Sequence, residues 1–139
     1  MIIQIITQGH KMPHWIKDGY QHYAQKLKLK HQLIELKDPD EAKVSKYLDS
    51  NALHIALDSR GHMLTSEAVA SKINFWKIHS INVNFYIGGF QGLSADHLSR
   101  CNEKWSLSLQ TYPHQLVKIM LIEQIFRAES ILLNHPYHK

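Results

Sequence analysis

Hydrophobic and polar positions alternate between two rhythms along this chain. Ile2 to Thr7 is a short, β-branched apolar run, the pattern of a buried parallel strand. Gly9 to Met12 reads as a turn, and Pro13 fits the first turn of a helix. Ile16, Tyr20, Tyr23, Ala24 and Leu27 follow at helical spacing, so one face of that helix packs inward. Gln32 to Leu36 is a second strand, broken by Asp38-Pro39-Asp40. Asp40 or Glu41 then opens a short helix through about Leu48. A third strand, Leu53 to Leu57, ends at Asp58-Ser59-Arg60-Gly61. Thr65 or Ser66 caps a helix that carries Val69, Ile73 and Trp76 on one side. Asn82 to Ile87 is a fourth strand, ended by Gly88-Gly89. Ser94 caps a helix to about Cys101 or Asn102. Trp105 to Leu109 is a fifth strand, and Gln115 to Leu133 the last helix.

Strands interleaved with helices predict an α/β fold: an open, mostly parallel sheet of five to six strands with helices on both faces. No internal repeat, low-complexity tract or linker interrupts the 139 residues, so 1–139 reads as a single domain able to bury a core. The 44% hydrophobic and 20% charged content is that of a soluble globular protein. No apolar stretch is long and uncharged enough to span a bilayer. The opening MIIQIITQGHK lacks a basic segment before its apolar run, so it does not read as a signal peptide. The lone Cys101 can form no internal disulfide, which points to a reduced, cytoplasmic setting.

A net charge of +4, with eleven histidines left out of that count, permits an anionic partner such as RNA without demanding one. The basic positions Lys11, Lys17, Lys26, Lys28 and Lys30, with His10, form either a solvated face or an RNA track. No HExxH or paired Cys/His spacing is present, so the histidines read as scattered surface groups and no metal is expected.

Three segments could carry chemistry. Gly88-Gly89-Phe90-Gln91-Gly92 follows a strand, where glycines either let the backbone approach a ligand or simply make a tight turn. It is neither a GxGxxG fingerprint nor a phosphate-binding loop with Gly-Lys-Ser/Thr. Ser106 to His114 supplies hydroxyls, an amide and exposed backbone that could hold an adenine edge and a ribose, or could be an ordinary polar loop. The last helix is apolar on more than one face, so it is either buried or paired with a second subunit. On it, Glu123 and Arg127 can pair at i,i+4. The chain ends on Tyr137-His138-Lys139: a stacking face, a group that titrates near neutral pH, and an ammonium.

The Trp105–Lys139 segment, with its Tyr112-Pro113-His114, Glu123-Gln124, Arg127-Ala128 and Pro136-Tyr137-His138-Lys139, resembles the C-terminal region of the RlmH family of SPOUT methyltransferases. Ile87-Gly88-Gly89-Phe90-Gln91-Gly92-Leu93 is similar to that family's IGGxxGL loop, and Gly9-His10-Lys11-Met12-Pro13 to its opening turn. The resemblance covers essentially the whole chain and is strongest from Tyr86 onward. It implies a SPOUT-type sheet with a C-terminal trefoil knot, S-adenosylmethionine as cofactor, and a homodimer. The implied reaction is methyl transfer to N3 of a pseudouridine in 23S ribosomal RNA, at helix 69 of the assembled 70S ribosome. The nearest alternatives are methylation of another RNA, or an RNA-binding module without catalysis.

By the same resemblance the cofactor would be held by Leu57, by Gly88, Gly89 and Gly92, and by Ser108, Leu109, Gln110, Thr111, Tyr112 and Pro113. His138 would be the first candidate for general base and Glu123 the second. Arg127 would orient or balance charge, and Tyr137 would complete the catalytic set. His114, Lys139 and Lys11 would contact RNA. One subunit's C-terminal tail would approach the other's cofactor. The chain departs from the family between Lys37 and Asn51, which is shorter than in typical members, and where family members carry Pro-Glu it has Phe90-Gln91.

Overall fold

The structure, a computed structural model, describes residues 1–37 and 41–139, with the backbone alone for Glu41. The expected break at Asp38-Pro39-Asp40 lies outside the described residues. Ten elements follow in chain order: β1 (Ile3–Gln8), α1 (His14–Ala24), β2 (His31–Leu36), α2 (Glu41–Leu48), β3 (Leu53–Met63), α3 (Ser66–Ile78), β4 (Val83–Ile87), α4 (Ala95–Arg100), β5 (Glu103–Ser106) and α5 (His114–Leu132). The five strands form one sheet in the order β2-β1-β4-β3-β5, and every pairing is parallel.

Alternation along the strands divides the core between two faces. Ile3 and Ile5 of β1, with Val83, Phe85 and Ile87 of β4, point to one face, where Tyr20, Ile73, Trp76, Leu121, Ile122 and Ile125 cover them. Helices α1, α3 and α5 therefore share that side. Ile6 and Tyr86 point the other way, against Val44 and Leu48 of α2, and His97 of α4 meets the Tyr86 ring edge-on at 4.7 Å. The helix starts form as the residues dictate. Thr65 Oγ1 accepts from the Ala68 N–H at 3.0 Å, and Ser94 Oγ from the His97 N–H at 3.1 Å.

Two strand ends differ from the expectation. β3 does not stop at Leu57 but resumes after a bulge, so that both Leu57 and His62 pair with Trp105 of β5. Gly61 allows this: a Cβ there would lie 2.6 Å from the Lys104 carbonyl. β5 begins at Glu103 and ends at Ser106, not at Leu109. Ser106 Oγ donates to the Ser108 carbonyl at 2.7 Å, and Ser108 Oγ accepts from the Gln110 N–H at 3.0 Å. These side chains satisfy the backbone locally and turn it out of the sheet.

Candidate functional site

A cleft of about 750 Å³ opens beyond the carboxyl ends of β4 and β5, where an open parallel sheet receives ligands. Its walls are the glycine loop, the polar loop after β5, and the β3 bulge. Leu57, Gly88, Gly89, Gly92, Ser108, Gln110, Thr111, Tyr112 and Pro113 all line it, as does His114 at the start of α5. Leu109 does not: it is 89% exposed on the outer side of the loop.

The glycine loop is shaped by its missing side chains. A Cβ at Gly88 would run into the Gly92 and Leu93 backbone, whereas one at Gly92 would meet open space. Gly92 sits at φ 76°, a left-handed conformation that glycine adopts without strain. Gly89 packs its backbone on Gln8 and Gly9, so the wall of the cleft rests on the end of β1. The polar loop is tied by its own side chains, including a Tyr112 Oη donation to Gln110 Oε1 at 3.2 Å. Burial and the nearby Lys118 and His10 charges lower the His114 pKa, so its imidazole is biased to the neutral form.

The C-terminal residues form a second cluster. Arg127 reaches Glu123 Oε1 through Nε at 2.9 Å and Nη2 at 2.7 Å. Tyr137 Oη donates to the same oxygen at 2.9 Å, and the Arg127 guanidinium lies 4.6 Å over the Tyr137 ring. Arg127 Nη1 is 3.1 Å from His138 Nδ1, and His138 Nε2 is 2.8 Å from Glu67 Oε1. A guanidinium can only donate, so Nδ1 is the acceptor and Nε2 carries the proton given to Glu67. Burial and the bond to Glu123 push the Tyr137 hydroxyl up to about 12, so it stays a donor. The bond to Glu123 also raises the Arg127 pKa. The four expected catalytic residues are thus brought together.

This cluster stands away from the cleft of its own chain. From His114 at the cleft, Glu123 is nine residues and Arg127 thirteen residues along α5, about 14 and 20 Å at 1.5 Å per residue. Lys11 and Lys139 are both exposed. The basic positions do not make one continuous track: His10 lies beside the glycine loop, whereas Lys28 and Lys30 lie with Met1 and Leu133 around a separate groove.

A family model described as "Predicted SPOUT methyltransferase" matches residues 1–138. The chain belongs to the SPOUT methyltransferase family. Among its relatives, the ribosomal RNA large subunit methyltransferase H of Saccharophagus degradans is 41% identical over 155 positions, covering all of both chains. Solved structures agree at the level of fold. A probable methylase family protein from Haemophilus influenzae superposes with a TM-score of 0.63 at 14% identity, over 99% of this chain and 70% of that one. The SpoU methyltransferase AviRb from Streptomyces viridochromogenes, solved in complex with the cofactor AdoMet, gives 0.54 at 10% identity, over 91% and 57%.

Within this SPOUT methyltransferase, sequence reasoning overlooked two parts of the site. Asp58, Ser59 and Arg60 line the cleft from the β3 bulge, with Asp58 and Arg60 paired at 3.8 Å. Their place just past Leu57, where the sequence predicts the end of a parallel strand, was the available signal. Glu67 reaches His138 across 71 positions of sequence, and nothing local marks it.

Proposed function

We propose that this chain transfers the methyl group of S-adenosylmethionine to N3 of a pseudouridine in helix 69 of 23S ribosomal RNA. It acts on the assembled ribosome, as a cytoplasmic homodimer with the trefoil knot of its family. One observation carries the reading: the cleft between the glycine loop and the Ser108–Pro113 loop in a chain that matches a methyltransferase family over residues 1–138. The names of the relatives support a ribosomal RNA substrate, and the AdoMet complex of a structural neighbour is consistent with the cofactor.

The residues present suit the cofactor. The open side of Gly92 and the backbone of the Ser108–Pro113 loop can receive an adenosyl group, with Asp58 beside them as an acceptor. Bound there, S-adenosylmethionine would supply an electrophilic methyl on a sulfonium, itself a good leaving group. The protein's task is then alignment and removal of the N3 proton. Glu67 holds the His138 tautomer that leaves Nδ1 as the basic nitrogen, and Arg127 Nη1 covers that nitrogen in the free chain. RNA must displace Arg127 from Nδ1, which frees the guanidinium to face a phosphate or a developing negative charge.

The distance along α5 from His114 to Glu123 and Arg127, about 14 and 20 Å, favours catalysis across subunits, one chain's tail serving the other's cofactor. Ile119 and Met120, half-buried beside a groove of about 320 Å³ on α5, offer an apolar surface for the pairing.

Labelled S-adenosylmethionine should mark ribosomes that lack their rRNA methylations, with the label at a 23S pseudouridine by mass spectrometry. Cofactor binding without label would overturn the ribosomal substrate. No cofactor binding would overturn the proposal as a whole.

A further inference from the structure

The glycine loop has two sides. Gly89, Phe90, Gln91, Gly92 and Leu93 line the cleft, and the same five residues line a second pocket of about 500 Å³. That volume is in the range of small-ligand sites. The second pocket opens among α2 and α4, which cover the other face of the sheet. No residue of the Ser108–Pro113 loop lines it, so it is separate from the place where the cofactor would be held.

Two residues of this pocket are left unsatisfied by the fold. His97 is 4% exposed, and its Nε2 makes no hydrogen bond to a described residue. A buried polar atom without a partner is costly, and it calls for an explanation such as a missing ligand. Burial keeps the imidazole neutral, so it offers one donor and one acceptor. Phe90 is 91% exposed at the tip of the loop. Its ring packs on no core cluster and presents an aromatic face to solvent.

The remaining walls narrow the chemistry. Val44 and Leu48 of α2 give the pocket an apolar side. Arg100 is pinned by donation to Ser45 Oγ at 3.1 Å and to Asp49 Oδ1, yet its side chain stays 33% exposed. An oriented guanidinium suits a phosphate. The Asp96 carboxylate lines the same pocket, which disfavours a bare anion and suits the amino group of a base. An aromatic face, an apolar wall, a neutral imidazole and a guanidinium together fit a nucleotide whose base is free of pairing.

We infer that this pocket binds an unpaired RNA nucleotide next to the one that is methylated, with the Phe90 ring stacked on its base. This rests on the reading of the chain as an RNA methyltransferase. The target base must enter the cleft to meet the methyl group. The glycine loop is the wall that the two recesses share, so a strand with its target base in the cleft lays the adjoining base across Phe90. Stacking tolerates any base, while His97 and Asp96 meet the edge of the one that enters.

The test has a direct arm and a kinetic arm, both on the full chain. In the first, uridine and adenosine monophosphate are titrated into protein holding S-adenosylmethionine, and nitrogen–proton spectra follow the amides and the His97 imidazole. Shifts should appear at Phe90, Gln91 and His97 and spare residues 108–111. Phe90→Ala should weaken them, and Phe90→Tyr should keep them. In the second arm, Phe90→Ala should raise the KM for undermethylated ribosomes roughly tenfold, the scale of one lost stacking contact, with kcat and the dissociation constant for S-adenosylmethionine unchanged. Phe90→Tyr should restore KM. No shift at His97 with either nucleotide would overturn the inference. Shifts at His97 with an unchanged ribosome KM in Phe90→Ala would assign the pocket to a free nucleotide and overturn its role in RNA binding. A Phe90→Ala protein that dissociates into monomers would assign the ring to a subunit contact, with the same result. If wild-type protein labels no ribosomes, the methyltransferase reading of the substrate fails instead, and the titration still decides whether the pocket takes a nucleotide.

Discussion

Tyr137 and Glu123 are joined at 2.9 Å, phenol to carboxylate, across fourteen positions of sequence. This bond folds the end of the chain back onto the middle of α5. A hydrogen bond to a charged acceptor contributes about 1.5–3 kcal/mol. Tyr137→Phe removes it and keeps the ring over Arg127. The tail should loosen, and methyl transfer should fall roughly tenfold or more on that energy scale while cofactor affinity holds. Loss of cofactor binding in this variant, measured by calorimetry, would contradict the assignment of the tail to the RNA side.

Arg127 uses three nitrogens on two partners and its plane on a third. A lysine offers a single ammonium and no stacking plane. Arg127→Lys should therefore behave like a deletion, with kcat down by about two orders of magnitude for a lost oriented charge. Single-turnover kinetics with saturating cofactor is the measurement, and near wild-type turnover would count against the role.

The glycine loop separates two costs. Gly88→Ala must push the Gly92 and Leu93 backbone apart and should abolish cofactor binding. Gly92→Ala meets open space and bears only its left-handed φ, about 1–2 kcal/mol. It should keep the fold and bind cofactor more weakly. Equal behaviour of the two variants in a binding titration would show that the loop shape is not what holds the ligand.

Glu129 is a buried carboxylate that accepts from the backbone N–H groups of Lys28 at 2.9 Å and Leu29 at 2.8 Å. It ties the end of α5 to the chain entering β2. Glu129→Ala strands both donors and should cost about 2–4 kcal/mol of unfolding free energy. Urea denaturation reads this directly, and a change below about 0.5 kcal/mol would refute it.

His97 is buried against Tyr86, and burial, aided by the Arg100 charge, lowers its pKa from 6.5 to about 4. A lowered folded value means the unfolded chain takes up the proton first. Stability is thus fully present above pH 6.5, falls as pH drops from 6.5 towards 4, and changes no further from this group below that. The full shift corresponds to roughly 3 kcal/mol. His54, lowered mainly by burial, acts in the same direction. Thermal midpoints should drop between pH 7 and pH 5, and a His97→Leu variant should show a shallower slope. An unaltered slope would remove His97 as the source.

The elements themselves were legible in the chain. The β-branched run from Ile2 to Thr7, the strand pattern from Asn82 to Ile87, the helical spacing from Ile16 to Leu27, and the hydroxyl caps at Thr65 and Ser94 are local signals. They depend on neighbours within a few positions. So do the two loops that line the cleft, because a glycine cluster and a run of hydroxyls announce themselves in sequence. Of the cofactor residues that the family resemblance implies, all but Leu109 line the cleft, whereas Asp58, Ser59 and Arg60 line it without having been expected. Beside Leu109, Ser106 and Ser108 turn the backbone so that the leucine faces outward, a choice made by hydrogen bonds no periodicity records.

What the sequence by itself determined is therefore the parallel α/β plan, the cleft-forming loops and the identity of the polar residues at the chain's end. Only the tertiary structure decided how those polar residues are joined. Sheet order and helix packing brought Glu67 to His138, turned the β3 bulge into a wall of the cleft, and set the Glu129 carboxylate on the Lys28 and Leu29 N–H groups. Each of these pairs couples positions far apart in the chain, and their energy depends on burial and on distances that exist only once the two faces of the sheet are covered.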